Sequence, residues 1–149
     1  MNIVGFNLIK ILAERIKPLN NPAINTNIQF TDFEKEKIDF LSQGEAVKLN
    51  FKYDLTYSPQ SEQKKIKDED KQAEIIVQGF LILSVSKDEL KEFEKSWKKK
   101  QVPEKHIISL YNFILRRCSI KTLSLQDDIG IPSPYLNFPA ISKNQDNSA

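Results

Sequence analysis

The stretch EAVKLNFKYDLTYS, residues 45–58, decides the fold class, because apolar and polar side chains alternate along its whole length. The apolar positions are Val47, Leu49, Phe51, Tyr53, Leu55 and Tyr57. A period of two indicates a β-strand with one face in a core and the other in water. Such strands are typical of an antiparallel sheet that is covered on one side only. We therefore expect helices on one face of the sheet.

A second strand is predicted at residues 73–86, AEIIVQGFLILSVS. Its nearly continuous apolar run, from Ile75 to Val85, indicates a central position in the sheet. Gly79 within that run predicts a bulge or a close backbone approach. Residues 58–73, between the two strands, have Pro59 near their start and charges at most positions after Glu62, which predicts a mobile hairpin loop.

The first forty residues give weaker signals. An extended segment is predicted where Ile28 and Phe30 alternate with polar residues; it bends near Thr31–Asp32 and ends at Gly44. The N-terminal segment fits two patterns, because Val4, Phe6 and Leu8 alternate like a strand. Helical spacing fits almost as well, through Val4, Leu8, Ile11 and Leu12. We favour a strand that carries a bulge.

After Ser86 the apolar period becomes helical. In SKDELKEFEKSWKKK the apolar residues Leu90, Phe93 and Trp97 share one face, and Ser86 with Glu89 forms a capping box. Val102–Pro103 ends this helix. A second helix is predicted from about Glu104 to about Ser124, with an apolar stripe formed by Ile107, Tyr111, Ile114 and Cys118.

These elements predict an α+β fold, a four-stranded antiparallel sheet with two C-terminal helices on one side. The 149 residues suit one domain, which we place at residues 1–142. Residues 127–149 contain three prolines and several apolar side chains. We expect residues 143–149 to form a disordered tail.

Composition excludes several classes of protein. The chain is 40% hydrophobic and 28% charged, as in ordinary globular domains. Its longest uninterrupted apolar run, Phe80 to Leu83, is far too short for a membrane span. The single cysteine, Cys118, suits a reducing compartment, so we expect a cytoplasmic protein. A net charge of +2 from interspersed charges gives little support for nucleic-acid binding.

Catalytic and metal-binding patterns are missing from the sequence. His106 and Cys118 are the single residues of their types, and they lie twelve positions apart on one predicted helix, which separates them by about 18 Å. We interpret His106 as an exposed first-turn residue and Cys118 as part of the core. The two residues also fall short of a zinc site, and the four glycines form no phosphate-binding loop. We expect no enzymatic activity, no metal and no cofactor.

The aromatic residues have two interpretations. Phe51, Tyr53 and Tyr57 share one strand face, where they either form core under the helices or line a groove. Other aromatic residues lie in segments with little regular structure or at helix ends: Phe33, Phe40, Trp97, Tyr135 and Phe138. Apolar surface that stays uncovered is typical of a protein-binding site.

The order of elements resembles that of the SecB family of ATP-independent chaperones. QGFLILSVSKDE (78–89) is similar to the family's last strand, LYNFILRRCSIKTL (110–123) to its long helix and GIPSPYLNFPAI (130–141) to its Pro-rich ending. The resemblance extends over about residues 3–142. It implies a homo-tetramer or dimer with hydrophobic grooves that hold unfolded polypeptides, lined by Phe33, Phe40, Phe51, Tyr53, Trp97, Tyr135 and Phe138.

The charge of the chain departs from the family pattern. Family members that serve protein export are strongly acidic and bind the translocase motor SecA, whereas this chain has a pI near 8.5. A SecA partner is therefore doubtful, and a chaperone dedicated to one antitoxin fits better. We predict a holdase for unfolded or aggregation-prone polypeptides; a specific adaptor of the same fold is the alternative.

Overall fold

The computed structural model describes residues 1–36, 44–60 and 70–133. Four strands come first, namely β1 (Asn2–Arg15), β2 (Pro22–Glu36), β3 (Glu45–Pro59) and β4 (Ala73–Val85). Two helices follow, α1 (Lys87–Trp97) and α2 (Glu104–Ile129). The strands form one antiparallel sheet in the order β1-β4-β3-β2. The predicted α+β class, with four antiparallel strands and two C-terminal helices, is confirmed.

The core lies on the face of the sheet that the helices cover. Every second residue of β3 from Val47 to Tyr57 is buried, as is every second residue of β4 from Ala73 to Val85. The residues between them are only partly buried, because they point to the opposite face. Both helices contribute to the same core, α1 through Leu90 and Phe93 and α2 through Leu110, Ile114 and Cys118.

β1 confirms the strand interpretation and the predicted bulge. Its register against β4 shifts twice, between Ile3 and Gly5 and between Leu8 and Lys10. The second shift lies beside Gly79, where a Cβ atom would collide with the backbone carbonyl oxygen of Asn7. The close backbone approach predicted at Gly79 is thus present, and it is made by β1.

β2 is bent where the sequence indicated. Its register against β3 shifts between Phe30 and Asp32, so Thr31 is the extra residue of a bulge. The strand begins at Pro22, earlier than the apolar pattern suggested. Three predictions concern residues that lie wholly or largely outside the described ones: the extended segment beyond Glu36, most of the hairpin loop at 58–73, and the tail at 143–149.

The start of α1 matches the predicted capping box, whereas the end of α2 differs from the prediction. The Glu89 N–H donates to Ser86 Oγ over 3.1 Å, and the Ser86 N–H donates to Glu89 Oε1 over 3.0 Å, which confirms the capping box. α2 continues to Ile129, beyond the predicted end at Ser124. It does so because the buried Gln126 donates from Nε2 to the Tyr57 hydroxyl over 3.0 Å, which holds the last turns against the sheet.

Candidate functional site

Two groups of aromatic rings extend from one face of strand β2 to the two helices. We call Phe30, Phe33, Phe93, Trp97 and Tyr111 the aromatic row. Phe30 stacks on Tyr111 with ring centroids 5.3 Å apart, and Phe33 lies 6.0 Å from Phe93 and 6.1 Å from Trp97. Phe93 is buried, whereas the other four rings are only partly covered. The row therefore presents aromatic surface at the protein exterior.

Two adjoining clefts lie near these rings, and Phe30 and Tyr111 of the aromatic row line one of them. Both touch the segment that joins the helices, residues 98–103, which we call the connector. The helix cleft, about 570 Å³, lies between α1 and the start of α2. The β2 groove, about 510 Å³, lies between β2 and the connector. Its walls are Ile28, Gln29, Phe30, Lys100, Gln101, Val102, Glu104, Ile107 and Tyr111.

The connector has a fixed shape. Lys99 and Lys100 donate backbone N–H groups to the carbonyl oxygens of Ser96 and Trp97, which closes a turn directly after α1. Lys100 has a φ of 57°, a left-handed backbone conformation that residues other than glycine adopt at a cost in free energy. Val102 and Pro103 are buried, and they anchor the connector before α2 begins. The connector, which forms one wall of the β2 groove, is thus held in place at both of its ends.

β2 is an edge strand in the described part of the chain, where it pairs with β3 alone. The other side of an edge strand presents main-chain N–H and C=O groups to solvent. An extended peptide can pair with such an edge, while every second side chain enters the adjoining groove. Ile28, Phe30 and Phe33 lie on the face of β2 that looks toward the helices, because they pair with the buried Tyr53, Phe51 and Leu49.

The predicted site residues fall into three groups. Phe33 and Trp97 come together in the aromatic row. Phe51 and Tyr53, with exposures of 1% and 0%, lie in the core beneath the helices, as the plainer interpretation had it, and present no ring surface to a ligand. They support the groove through their pairing with Phe30 and Ile28. Phe40, Tyr135 and Phe138 lie outside the described residues.

Several groove residues were not identified as such from the sequence. Ile28 and Phe30 were assigned only to a strand, and Ile107 and Tyr111 only to the core face of α2. The apolar stripe on α2 is wide, and that width was the available signal. A stripe broader than the surface under it leaves apolar side chains at its margin, which is where Tyr111 lies.

His106 is not the exposed residue that the sequence suggested. Its ring stacks on Phe93 at 5.6 Å, its side chain is 15% exposed, and its Nε2 lies 3.3 Å from Glu89 Oε2. The Ser86 N–H and then the Met1 ammonium hold the pKa of Glu89 at about 2, so this carboxylate is ionised near neutral pH. The contacts of Glu89 with Ser86, Met1 and His106 stabilise the start of α1 beside the aromatic row.

The described residues contain no other evident chemistry. Cys118 is buried in the core, and burial raises the pKa of its thiol to about 12. Within residues 1–36, 44–60 and 70–133, no group of three or more His, Cys, Asp or Glu side chains is arranged to hold a metal ion. Neither described helix has the length and apolar character needed to cross a membrane.

Comparison with known proteins gives one structural similarity. No protein-family model matches the chain, and no curated protein matches it in sequence. A solved structure of a Mycobacterium tuberculosis SecB-like chaperone, in complex with a ChAD peptide from an antitoxin, is 14% identical with a TM-score of 0.45. The match covers 95% of this chain and 91% of that one.

Proposed function

We propose that this protein is an ATP-independent holdase that binds extended, unfolded segments of other proteins in the β2 groove. The observation that carries the proposal is the aromatic row beside an edge strand. Four partly covered rings and one strand edge offer the two kinds of contact that an unfolded chain can make, apolar side-chain burial and main-chain hydrogen bonds.

The energetics favour reversible binding. Burying one large apolar side chain contributes about 1.5–3 kcal/mol, and a groove of about 510 Å³ admits only a few such side chains. Ordering a flexible segment offsets much of that gain. We expect dissociation constants of about a micromolar, weak enough for release without nucleotide hydrolysis. A holdase of this kind requires no catalytic residue, metal or cofactor.

Two narrower roles use the same groove. A chaperone dedicated to one antitoxin would bind the end of that partner, and a specific adaptor would bind one partner without suppressing aggregation in general. Docking to SecA remains doubtful, since the chain lacks an acidic excess. Assembly into a dimer or tetramer remains a prediction, which analytical ultracentrifugation can test.

The test is suppression of aggregation. Several unrelated unfolded proteins are diluted into buffer without ATP, with and without this protein, and light scattering is recorded. Tyr111→Ala removes a groove wall that is only partly buried, so we expect it to weaken suppression several-fold while the fold persists. Phe80→Ala is the matched control, because Phe80 is partly buried on the opposite face of the sheet, under the Lys48 ammonium.

The outcomes separate the candidates. Suppression that depends on Tyr111 but not on Phe80 supports the holdase. Failure against every unfolded protein, together with Tyr111-dependent binding of a single co-purified partner, supports the adaptor or the dedicated chaperone instead. Equal loss in both variants would contradict the assignment of function to the β2 groove.

A further inference from the structure

Positive charge is concentrated around the two clefts. Lys95 and Lys99 line the helix cleft, and Lys100 lines the β2 groove. Lys98 directly precedes Lys99 in the sequence. All four are exposed, and none forms an ion pair within the described residues. The Lys100 ammonium lies 5.4 Å from the centre of the Trp97 ring, so charge and aromatic surface adjoin.

The neighbouring carboxylates are mostly neutralised already. Lys105 contacts Glu92 and Lys35 contacts Glu94, each at 2.8 Å. These hydrogen bonds raise the pKa of both lysines, which therefore remain protonated. Glu104 is the remaining carboxylate among the residues that line the two clefts. Among the residues that line the two clefts, three lysines without an ion pair (Lys95, Lys99 and Lys100) thus accompany one such glutamate (Glu104) in the described part of the chain.

The acidic residues of β2 do not cancel this charge inside the groove. Asp32 and Glu34 pair with Asn50 and Lys48, on the face of the sheet that points away from the helices. Phe33, between them in sequence, points to the helix side. A segment paired with β2 would therefore meet apolar surface and lysines on its groove side.

We propose that the β2 groove selects extended segments in which apolar residues are flanked by Asp and Glu. This inference rests on the proposed function and names the class of client. Aromatic and aliphatic side chains of the client fill the groove, and its flanking carboxylates lie near Lys95 and the lysines of the connector. Charges at the rim of an interface set the choice of partner and the rate of encounter more than the total affinity.

The experiment uses three peptides with one apolar core and acidic, uncharged or basic flanks. Trp97 is the single tryptophan of the chain and lies in the aromatic row, so its fluorescence reports binding without a label. We expect the acidic peptide to bind the full chain about tenfold more tightly than the basic one at low salt. The difference should shrink as ionic strength rises, because exposed charges are screened.

Charge reversal provides the decisive variant. Lys99→Glu combined with Lys100→Glu reverses one charge in each cleft and should reverse the order of the acidic and basic peptides. Lys10→Glu combined with Lys121→Glu is the matched control, because it changes the total charge equally at exposed positions on β1 and α2 that line neither cleft. The control should keep the wild-type order of affinities.

Four results would overturn the inference. Equal binding of the three peptides, or tighter binding of the basic one, would remove the charge preference while leaving the proposed function intact. Binding of none of them would overturn the proposed function as well. Displacement of the acidic peptide by a single-stranded oligonucleotide, with a steep salt dependence, would identify nucleic acid as the occupant of the clefts.

Discussion

Gly79→Ala tests the close packing of β1 on β4. In the native backbone the new methyl group would collide with the carbonyl oxygen of Asn7 and would lie 3.1 Å from both Leu8 Cα and the Phe51 ring. Two of these three neighbours are backbone atoms, which cannot rotate away. We expect β1 to move outward at this point, with loss of the strand pairing around it.

The magnitude follows from three contributions. Forcing a methyl group into a packed core costs about 1–3 kcal/mol, and each lost backbone hydrogen bond costs about 1 kcal/mol. Alanine lowers the entropy of the unfolded chain, which returns about 0.4–1 kcal/mol. The free energy of unfolding should therefore fall by about 2–3 kcal/mol.

Urea denaturation followed by circular dichroism measures this change. Gly5→Ala is the matched control, since its methyl group would lie 3.2 Å from Cβ and Cγ1 of Ile82, a close contact that a shift of a few tenths of an ångström relieves. We expect its cost to stay below about 1 kcal/mol. If the two variants unfold at the same urea concentration, the backbone contact at Gly79 does not restrict this position and the reasoning is wrong.

Two further predictions concern titratable groups. Because the folded pKa of Glu89 is about 2, below the ordinary 4.5, its contribution to stability is complete above pH 4.5 and is lost as the pH falls toward 2. Glu89→Gln should therefore destabilise the protein by about 1 kcal/mol at pH 7 and approach the wild type near pH 2, as urea unfolding across this range will show; parallel pH curves would contradict the assignment. The Cys118 thiol, with its pKa raised to about 12 by burial, should react with a thiol reagent at pH 8 only after denaturation. Equal reaction rates in the folded and unfolded protein would show that the cysteine is accessible.

The sheet could be predicted because strict alternation of apolar and polar residues matches the two-residue period of a strand and does not match the 3.6-residue period of a helix. β3 and β4 are regular strands, and their buried faces match the alternating pattern. β1 was ambiguous for a physical reason that the structure supplies. Each bulge adds one residue, so the side chains facing the helices are spaced alternately by three and two positions: Ile3, Phe6, Leu8, Ile11 and Ala13. That spacing lies between a strand and a helix.

The candidate site could be predicted only in part, because the extent of helix coverage is a tertiary property. The pattern placed Phe51 and Tyr53 on the covered face but did not tell how completely the helices seal it. The extension of α2 likewise depends on a distant partner, since Gln126 meets Tyr57 across 69 residues of sequence. Phe33 and Trp97 were recognised as surplus aromatic residues, and the structure supplied their neighbours Phe30 and Tyr111.

The bulges of strand β1 affect the tendency of the protein to aggregate through the edge of its sheet. The strand forms the sheet margin opposite β2, and its two register shifts lie only a few residues apart. A straight strand from a misfolded neighbour finds no long regular ladder there, because each bulge twists the backbone and interrupts the pairing. Intermolecular strand pairing along β1 is therefore disfavoured. This property suits a protein that we propose binds unfolded, aggregation-prone polypeptides.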